Sequence, residues 1–382
     1  MFKKENRFIK KFDFLLLLTT FVLVFFGLVI IKSSTMSYAS GSYRYLRTQT
    51  LAFVLGSIVV IVLLLIDYEI YGYFYIPIYV ISNILLIAVI LFGHGAAEWG
   101  ASNWLKIGPI SFQPSEIAKF GIIISLAKFI DKNKEKINEP FILIKILAFA
   151  FLPVALILLQ PDLGTALVFV FFIIIMIFSA GLSYKYIWPF VLLGIILLIA
   201  GVIFLNFYVD DYIIGDNYML DRIMMFLYPE MDPSGKGYQV IQSKIAIGSG
   251  EMFGRGLFLG VQNQYGFLPT KETDFIFAVV CEELGFVGGI ALIMLYALLL
   301  LRLIKIAKTA KDTFGSLIVI GIMGMFLFHI LENIGMTMGL MPVTGIPLPF
   351  VSYGGTFMLM NMFSIGLVLQ VGLHRGKQDL YN

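Results

Sequence analysis

A helix needs roughly twenty apolar residues to cross a bilayer, and runs of about that length recur ten times along this chain of 382 residues. They lie at about 14–31, 50–66, 73–92, 114–130, 141–159, 163–180, 186–207, 274–301, 314–338 and 351–372. Inside lipid the backbone must satisfy its own N–H and C=O groups, so each run reads as a helix. The chain is 59% hydrophobic and only 13% charged, where a soluble domain carries about 25% charge. The expectation is an all-α polytopic membrane protein of ten transmembrane helices. No repeat period or low-complexity linker divides it, so residues 1–382 form one domain. The division between 141–159 and 163–180 rests on Gln160, Pro161 and Asp162 alone. Proline cannot continue a helix, so a tight hairpin is expected there rather than one kinked, over-long span.

Orientation follows from lysine and arginine. The N-terminal MFKKENRFIKKF is basic and runs into an apolar stretch longer than a signal-peptide core, which reads as an uncleaved first span. Lys132, Lys134 and Lys136, then Arg302, Lys305, Lys308 and Lys311, then Arg375 and Lys377 fall on the same side as that N-terminus. The opposite short links hold only Arg44, Arg47 and Lys106. This bias puts both termini in the cytoplasm and the long segment 208–272, between the seventh and eighth spans, outside. Within it Tyr238, Ile241 and Ile245 recur at helical spacing, with Gln239, Gln242 and Ser243 on the other side, as in an amphipathic helix at the outer leaflet.

Several function classes drop out. The glycines at 248, 250, 254, 256 and 260 follow no strand and lack the Walker lysine spacing, so they do not read as a phosphate loop. A net charge of +3, dispersed along the chain, does not point to nucleic acid. The single cysteine, Cys281, excludes an internal disulfide, and His94, His329 and His374 have no metal-ligand spacing.

The polar residues gather at the mouths of the spans that start outside. Span four opens with FQPSEIAK, span six with QPDLGTA and span eight with TKETDFIF; span ten follows MPVTGIPLPFVSYGG. Their N-termini would present free N–H groups and positive dipole ends outward, a setting that suits a diphosphate. Asp274 stands where the polar segment meets the apolar one, and two compatible readings remain for it: a helix cap, or an acid doing chemistry. Glu116 and Lys119 share a helical face within a turn or two of the outer surface, as a salt bridge, a functional pair, or both. Asp162 repeats the case, with an Arg or Lys partner expected. Glu282 and Glu283, two turns below Asp274, read as structural. His329, Glu332 and Asn333 share a face of span nine and read as interhelical hydrogen-bonding groups. Trp99 and Trp104 suit interface anchors.

In this order the blocks GASNWLKIGPISFQPSEIAK, QPDLGTA, GYQVIQSKIAIGSGEMFGRGLF, GFLPTKETDFIFAVVCEELGFVGG and NIGMTMGLMPVTGIPLPFVSYGG resemble the SEDS family (shape, elongation, division and sporulation). They span most of the chain from Gly100 to Gly355, and their wording is closer to the RodA-like elongation branch than to the FtsW-like division branch. The resemblance implies a peptidoglycan glycosyltransferase that polymerises lipid II at the outer face of the cytoplasmic membrane. It makes Asp274 the catalytic residue and maps the cavity pair onto Glu116 and Lys119, the loop arginine onto Arg222 and the tryptophan onto Trp104. Arg222, Lys119, Arg255 and Lys271 become candidates for the departing diphosphate, and Asp162 and Ser352 complete the expected substrate-binding set. Ala101, Ser102 and Asn103 stand where relatives often carry a basic residue, and Thr270, Lys271 and Glu272 replace a usual Glu-x-His. An α-linked donor and a β-linked product require inversion, which one base can deliver without an enzyme nucleophile. The implied partners are lipid II, the polyprenyl diphosphate-linked glycan, membrane lipid and a class B penicillin-binding protein. No cofactor is required, with room for a divalent cation. A lipid II flippase and a scaffold for the crosslinking enzyme are the rival functions.

Overall fold

Nine of the ten apolar runs coincide with described helices, several of whose ends differ from those expected. A computed structural model describes residues 11–374, apart from 39–40, 95–102, 108–109, 233–234 and most of 187–217. Among the described residues six long helices precede the long connection: α1 (Phe14–Thr35), α2 (Gly41–Leu65), α3 (Tyr75–Phe92), α4 (Pro114–Asn133), α5 (Pro140–Leu158) and α6 (Leu163–Ser179). The longer described helices within it are α7 (Tyr218–Leu227) and α8 (Lys236–Ser249). Then come α9 (Ile276–Thr309), α10 (Thr313–Met338) and α11 (Gly355–Leu373). Among the described residues, seven helices are long and apolar enough to cross a membrane. The shorter, apolar α6 and the 20-residue, partly charged α4 accompany them. The span expected at 186–207 lies mostly outside the described residues, as do Trp99, Ala101 and Ser102.

Local chemistry sets the ends. Asp13, Asp162 and Asp312 cap α1, α6 and α10 by accepting from the N–H groups of Leu16, Thr165 and Gly315. Proline opens α4 and α5, where its missing N–H costs nothing. The hairpin expected at Pro161 is present, separating α5 from α6. One short antiparallel ribbon departs from the all-α expectation: β1 (Leu105–Ile107) pairs with β2 (Ile110–Phe112), Lys106 opposite Ser111.

The bundle has a centre and a rim. In the apolar windows of α10 and α11, 72% and 78% of residues are buried, against 22% in α3. Helix α4 is also central, which is why it tolerates Glu116 and Lys119: its polar groups face protein rather than lipid. Helix α8 packs on α9 and α10 through Val240, Ser243 and Ala246 and leaves Ile241 and Ile245 exposed, the amphipathic pattern expected.

Helix α9 is broken at Gly285, whose φ is +67°. The broken ladder is repaired by the loop after α8. Arg255 and Gly256 donate backbone N–H groups to Glu282 and Glu283 carbonyls at 3.0 Å each, while Phe286 and Val287 donate to Glu251 and Met252 carbonyls at 2.9 and 3.1 Å. A Cβ at position 285 would lie 2.3 Å from the Gly254 nitrogen, so only glycine lets the two backbones approach. Glu282 and Glu283 complete the joint as structural acceptors. Glu282 takes the N–H groups of Gln262 and Asn263, and Glu283 takes Phe258 N–H, the Asn263 amide and the Ser33 hydroxyl.

Candidate active site

The segment 340–354, between α10 and α11, is irregular backbone that dips into the bundle. Leu348, Phe350, Val351 and Ser352 are buried, Tyr296 donates its hydroxyl to Pro349 O at 2.6 Å, and Phe350 O lies against Gly27, midway along α1. Non-helical backbone at such depth survives only where protein surrounds it. Helix termination explains the entry: Gly339 takes φ +70° after Met338, and Pro342, Pro347 and Pro349 then prevent a helix from restarting.

This segment is where the polar motifs meet. Thr344 O accepts from Arg222 Nη1 at 2.7 Å, and Thr344 Oγ1 donates to Glu332 Oε1 at 2.8 Å. Gly164, at the start of α6, approaches Thr344 and Ile346 so closely that a Cβ there would lie 3.0 Å from Thr344 Cβ. Gly345, exposed and at φ +76°, faces Asp274: a Cβ on it would lie 3.4 Å from Asp274 Oδ2. Asn333 donates to both Asp274 O, at 2.9 Å, and Ile346 O, at 2.8 Å. His329 Nδ1 lies 3.1 Å from Pro347 O, and His329 Nε2 lies 3.1 Å from Lys119 Nζ. Lys119 in turn donates to Glu116 Oε1 at 2.7 Å, with 1% and 9% of the two side chains exposed. Asp274, Arg222, the start of α6 and the Glu116–Lys119 pair therefore border one loop.

Asp274 is not the helix cap. The capping position of α9 is Phe275, without a side-chain cap, and the Asp274 N–H turns back onto Thr270 O. Its carboxyl, part open beside Gly345, loses enough hydration that burial pushes it up to about 6. Arg222 and the Thr273 hydroxyl oppose that rise, and Glu272 adds to it. Such a group is ionised near neutral pH yet basic enough to take a proton. Its backbone is held tightly: Ser352 Oγ donates to Thr273 O at 2.6 Å and accepts Leu348 N–H at 2.8 Å, and Tyr353 N–H donates to Glu272 O at 2.8 Å.

The remaining expected residues divide. Among the described residues Asp162 meets no Arg or Lys; its carboxylate takes the Asn103 and Gln113 amides at 2.9 and 3.3 Å and the N–H and hydroxyl of Thr165. Amides suffice because the α6 N-terminus already supplies positive potential. Trp104 bridges to His94 beside the ribbon and is half-buried. Ser352 lies behind the Thr273 carbonyl with its hydroxyl fully used, so it positions the Asp274 strand. Lys271 is buried under the same strand, donating to the Ser37 hydroxyl and Asn263 O, and burial lowers its pKa against the pull of Glu272, Glu282 and Glu283. Arg255, on the loop that mends α9, donates to Ser249 O. These two cations serve the joint at Gly285. Tyr38 and Gln49 also belong to the wall: Tyr38 donates to Glu272 at 2.6 Å, and Gln49 grips Ser352 O and Gly354 N–H. No periodicity marks either. Among the described residues no three His, Cys, Asp or Glu side chains are grouped so as to hold a metal ion.

The family described as the FtsW/RodA/SpoVE cell cycle proteins matches residues 13–377. The peptidoglycan glycosyltransferase MrdB of Escherichia coli is 38% identical over 360 residues, covering 93% of each chain. A probable peptidoglycan glycosyltransferase FtsW of Trichlorobacter lovleyi is 36% identical over 373 residues, covering 94% of this chain and 93% of that one. The similar level of the two leaves the elongation and division branches unseparated. A solved structure concerned with the coordination of polymerization and crosslinking by a peptidoglycan synthase complex superposes with TM-score 0.76 at 32% identity, covering 94% of this chain and 97% of the other. With the family matching residues 13–377 and these relatives covered over most of their length, this chain belongs to the FtsW/RodA/SpoVE (SEDS) family of polytopic membrane proteins.

Proposed function

We propose that the protein is an inverting peptidoglycan glycosyltransferase that polymerises lipid II at the outer face of the cytoplasmic membrane, in cell elongation, with both termini in the cytoplasm. The observation that supports it best is the exposed Gly345 beside a half-open Asp274, on a loop that Arg222 touches and that His329 links to Lys119. In the reaction the acceptor sugar hydroxyl attacks the anomeric carbon of the donor. Its proton passes to Asp274, the new glycosidic C–O bond forms, and the old C–O bond breaks with its electron pair leaving on the diphosphate. A base of this kind contributes roughly 10²–10⁴-fold. Holding the two saccharides together and neutralising the departing diphosphate supply the remainder. Arg222 and the third N–H of Lys119 are the groups for that second task. The polyprenyl tails stay in the bilayer, and a class B penicillin-binding protein supplies crosslinking.

Labelled lipid II in a glycan-chain assay tests this reading. Wild-type protein extends chains, and Asp274→Ala, although folded, does not. Glu116→Ala leaves Lys119 buried without its carboxylate, so it lowers the yield of folded protein as well as the rate. Translocation of lipid II by wild type without any chain extension would give the flippase the better claim, and full function of Asp274→Asn in cells would favour the scaffold.

A further inference from the structure

His329 is buried, with 1% of its surface exposed, and both ring nitrogens are engaged. The partners fix its protons. Pro347 O can only accept, so Nδ1 carries the hydrogen. Lys119, held at 2.7 Å by Glu116, is an ammonium that can only donate, so Nε2 must be a bare lone pair. The imidazole is therefore neutral, in its Nδ1–H form, and it spans from α4 to the loop that walls Asp274. Lys119 has three N–H groups. Glu116 and His329 direct two of them, which leaves the third as a donor for a ligand, and the Phe357 ring lies 5.8 Å from the ammonium.

Resting on the glycosyltransferase reading above, we propose that His329 is a positioning residue of the polymerisation site: it aims Lys119 at the donor diphosphate and ties that aim to the loop beside Asp274. Without the Nε2 acceptor, Lys119 would swing wholly toward Glu116 and present its free N–H elsewhere. Without the Nδ1–H donor, Pro347 O would be left buried and unpaired, and the loop beside Asp274 would lose one of its anchors. Neither contact touches the reacting carbon, so the base itself stays intact.

The two contacts can be separated. Glutamine at this position can place a carbonyl oxygen near the site of Nε2 and keep an acceptor for Lys119. Asparagine places its amide near Nδ1 and keeps only the donor to Pro347. With purified full-length protein and labelled lipid II, His329→Ala and His329→Asn are expected to raise KM about tenfold or more. His329→Gln should restore KM to within about threefold of wild type. In a Lys119→Met background His329→Asn, which keeps the donor to Pro347, should leave KM unmoved, because there is no ammonium left to aim. Thermal melting of each variant in detergent shows whether it is folded, and the Gln–Asn contrast decides even if the alanine variant fails to fold. Equal KM values for the Gln and Asn variants, or a full His329→Asn effect in the Lys119→Met background, would overturn the proposal. Wild-type protein that extends no chains sinks the glycosyltransferase reading instead, and the two failures are distinguishable.

Discussion

The two ends of the bundle handle charge differently. At the end holding the α1 N-terminus, carboxylates meet cations directly: Asp13 with Arg302 at 2.6 Å, Glu69 with Lys311 at 2.7 Å and Asp131 with Lys128 at 2.8 Å. At the Asp274 end they mostly meet neutral donors: Asp162 the amides of Asn103 and Gln113, Glu332 the Thr344 hydroxyl, Glu272 the Tyr38 hydroxyl, and Glu282 and Glu283 backbone N–H groups. An ion pair cancels both charges and locks geometry. A carboxylate satisfied by neutral donors keeps its charge. One end staples the helices; the other holds fields in reserve. The exception, Glu116 with Lys119, obeys the same logic, because the ammonium has three donors and the carboxylate uses one.

The largest contrast between the ends comes from isosteric substitutions. Asp274→Asn should reduce chain extension about 10²–10⁴-fold. Its stability should equal or exceed that of wild type, because a carboxyl raised to about 6 destabilises the fold once it ionises. That penalty is absent below the ordinary carboxylate value, grows as pH rises toward 6 and is complete above it. Asp13→Asn should do the reverse, lowering the melting temperature while leaving the rate of the folded fraction unchanged. Parallel melting curves and chain-extension assays check both.

Next in size is Arg302→Met, which removes the guanidinium from Asp13, whose side chain is 1% exposed. Breaking a buried pair costs about 3–5 kcal/mol, measurable in denaturant or thermal unfolding, with activity per folded molecule retained. A smaller effect is expected in the pH profile. Chain extension should fall about tenfold per pH unit below a midpoint near 6, where Asp274 becomes protonated. Since Arg222 lowers that midpoint, Arg222→Gln should move it to higher pH as well as slow the reaction; an unmoved midpoint would separate the two residues. Smallest of all is Lys311→Ala. Its pair with Glu69 is solvent-exposed, and neither the melting temperature nor the rate should change measurably.

The helices and their ends were legible because apolar length, aspartate caps, prolines and glycines act locally. The expected limits of α5 and α6 differ from those observed by a residue or so, and Pro161 separates them as its chemistry demands. Larger departures have tertiary causes. Helix α2 starts at Gly41 because its polar first turns stay helical above the apolar run. Residues 351–354, apolar enough to count toward the last span, belong instead to the loop that Tyr296, Gln49 and Ser352 hold.

The candidate site was half legible. Asp274, Arg222, Glu116 and Lys119 were singled out, and these border the loop at 344–347. Lys271 and Arg255 carry the charge a diphosphate needs, yet Lys271 donates to Ser37 and Asn263 and Arg255 to Ser249. His329, Glu332 and Asn333 were seen to share a helical face, but i, i+3 and i+4 spacing names a face and not its partner.

Left to itself, the order of residues determined that this chain lives in a bilayer, how many apolar runs it has and where acids stand at their mouths. Those outcomes depend on transfer from water and on helical hydrogen bonds, whose ranges are a few residues. Which acid stays half-open, which cations remain available and which histidine joins α4 to the loop were decided only when segments more than a hundred residues apart packed together. Burial and partner geometry set those properties, and neither exists until the bundle closes.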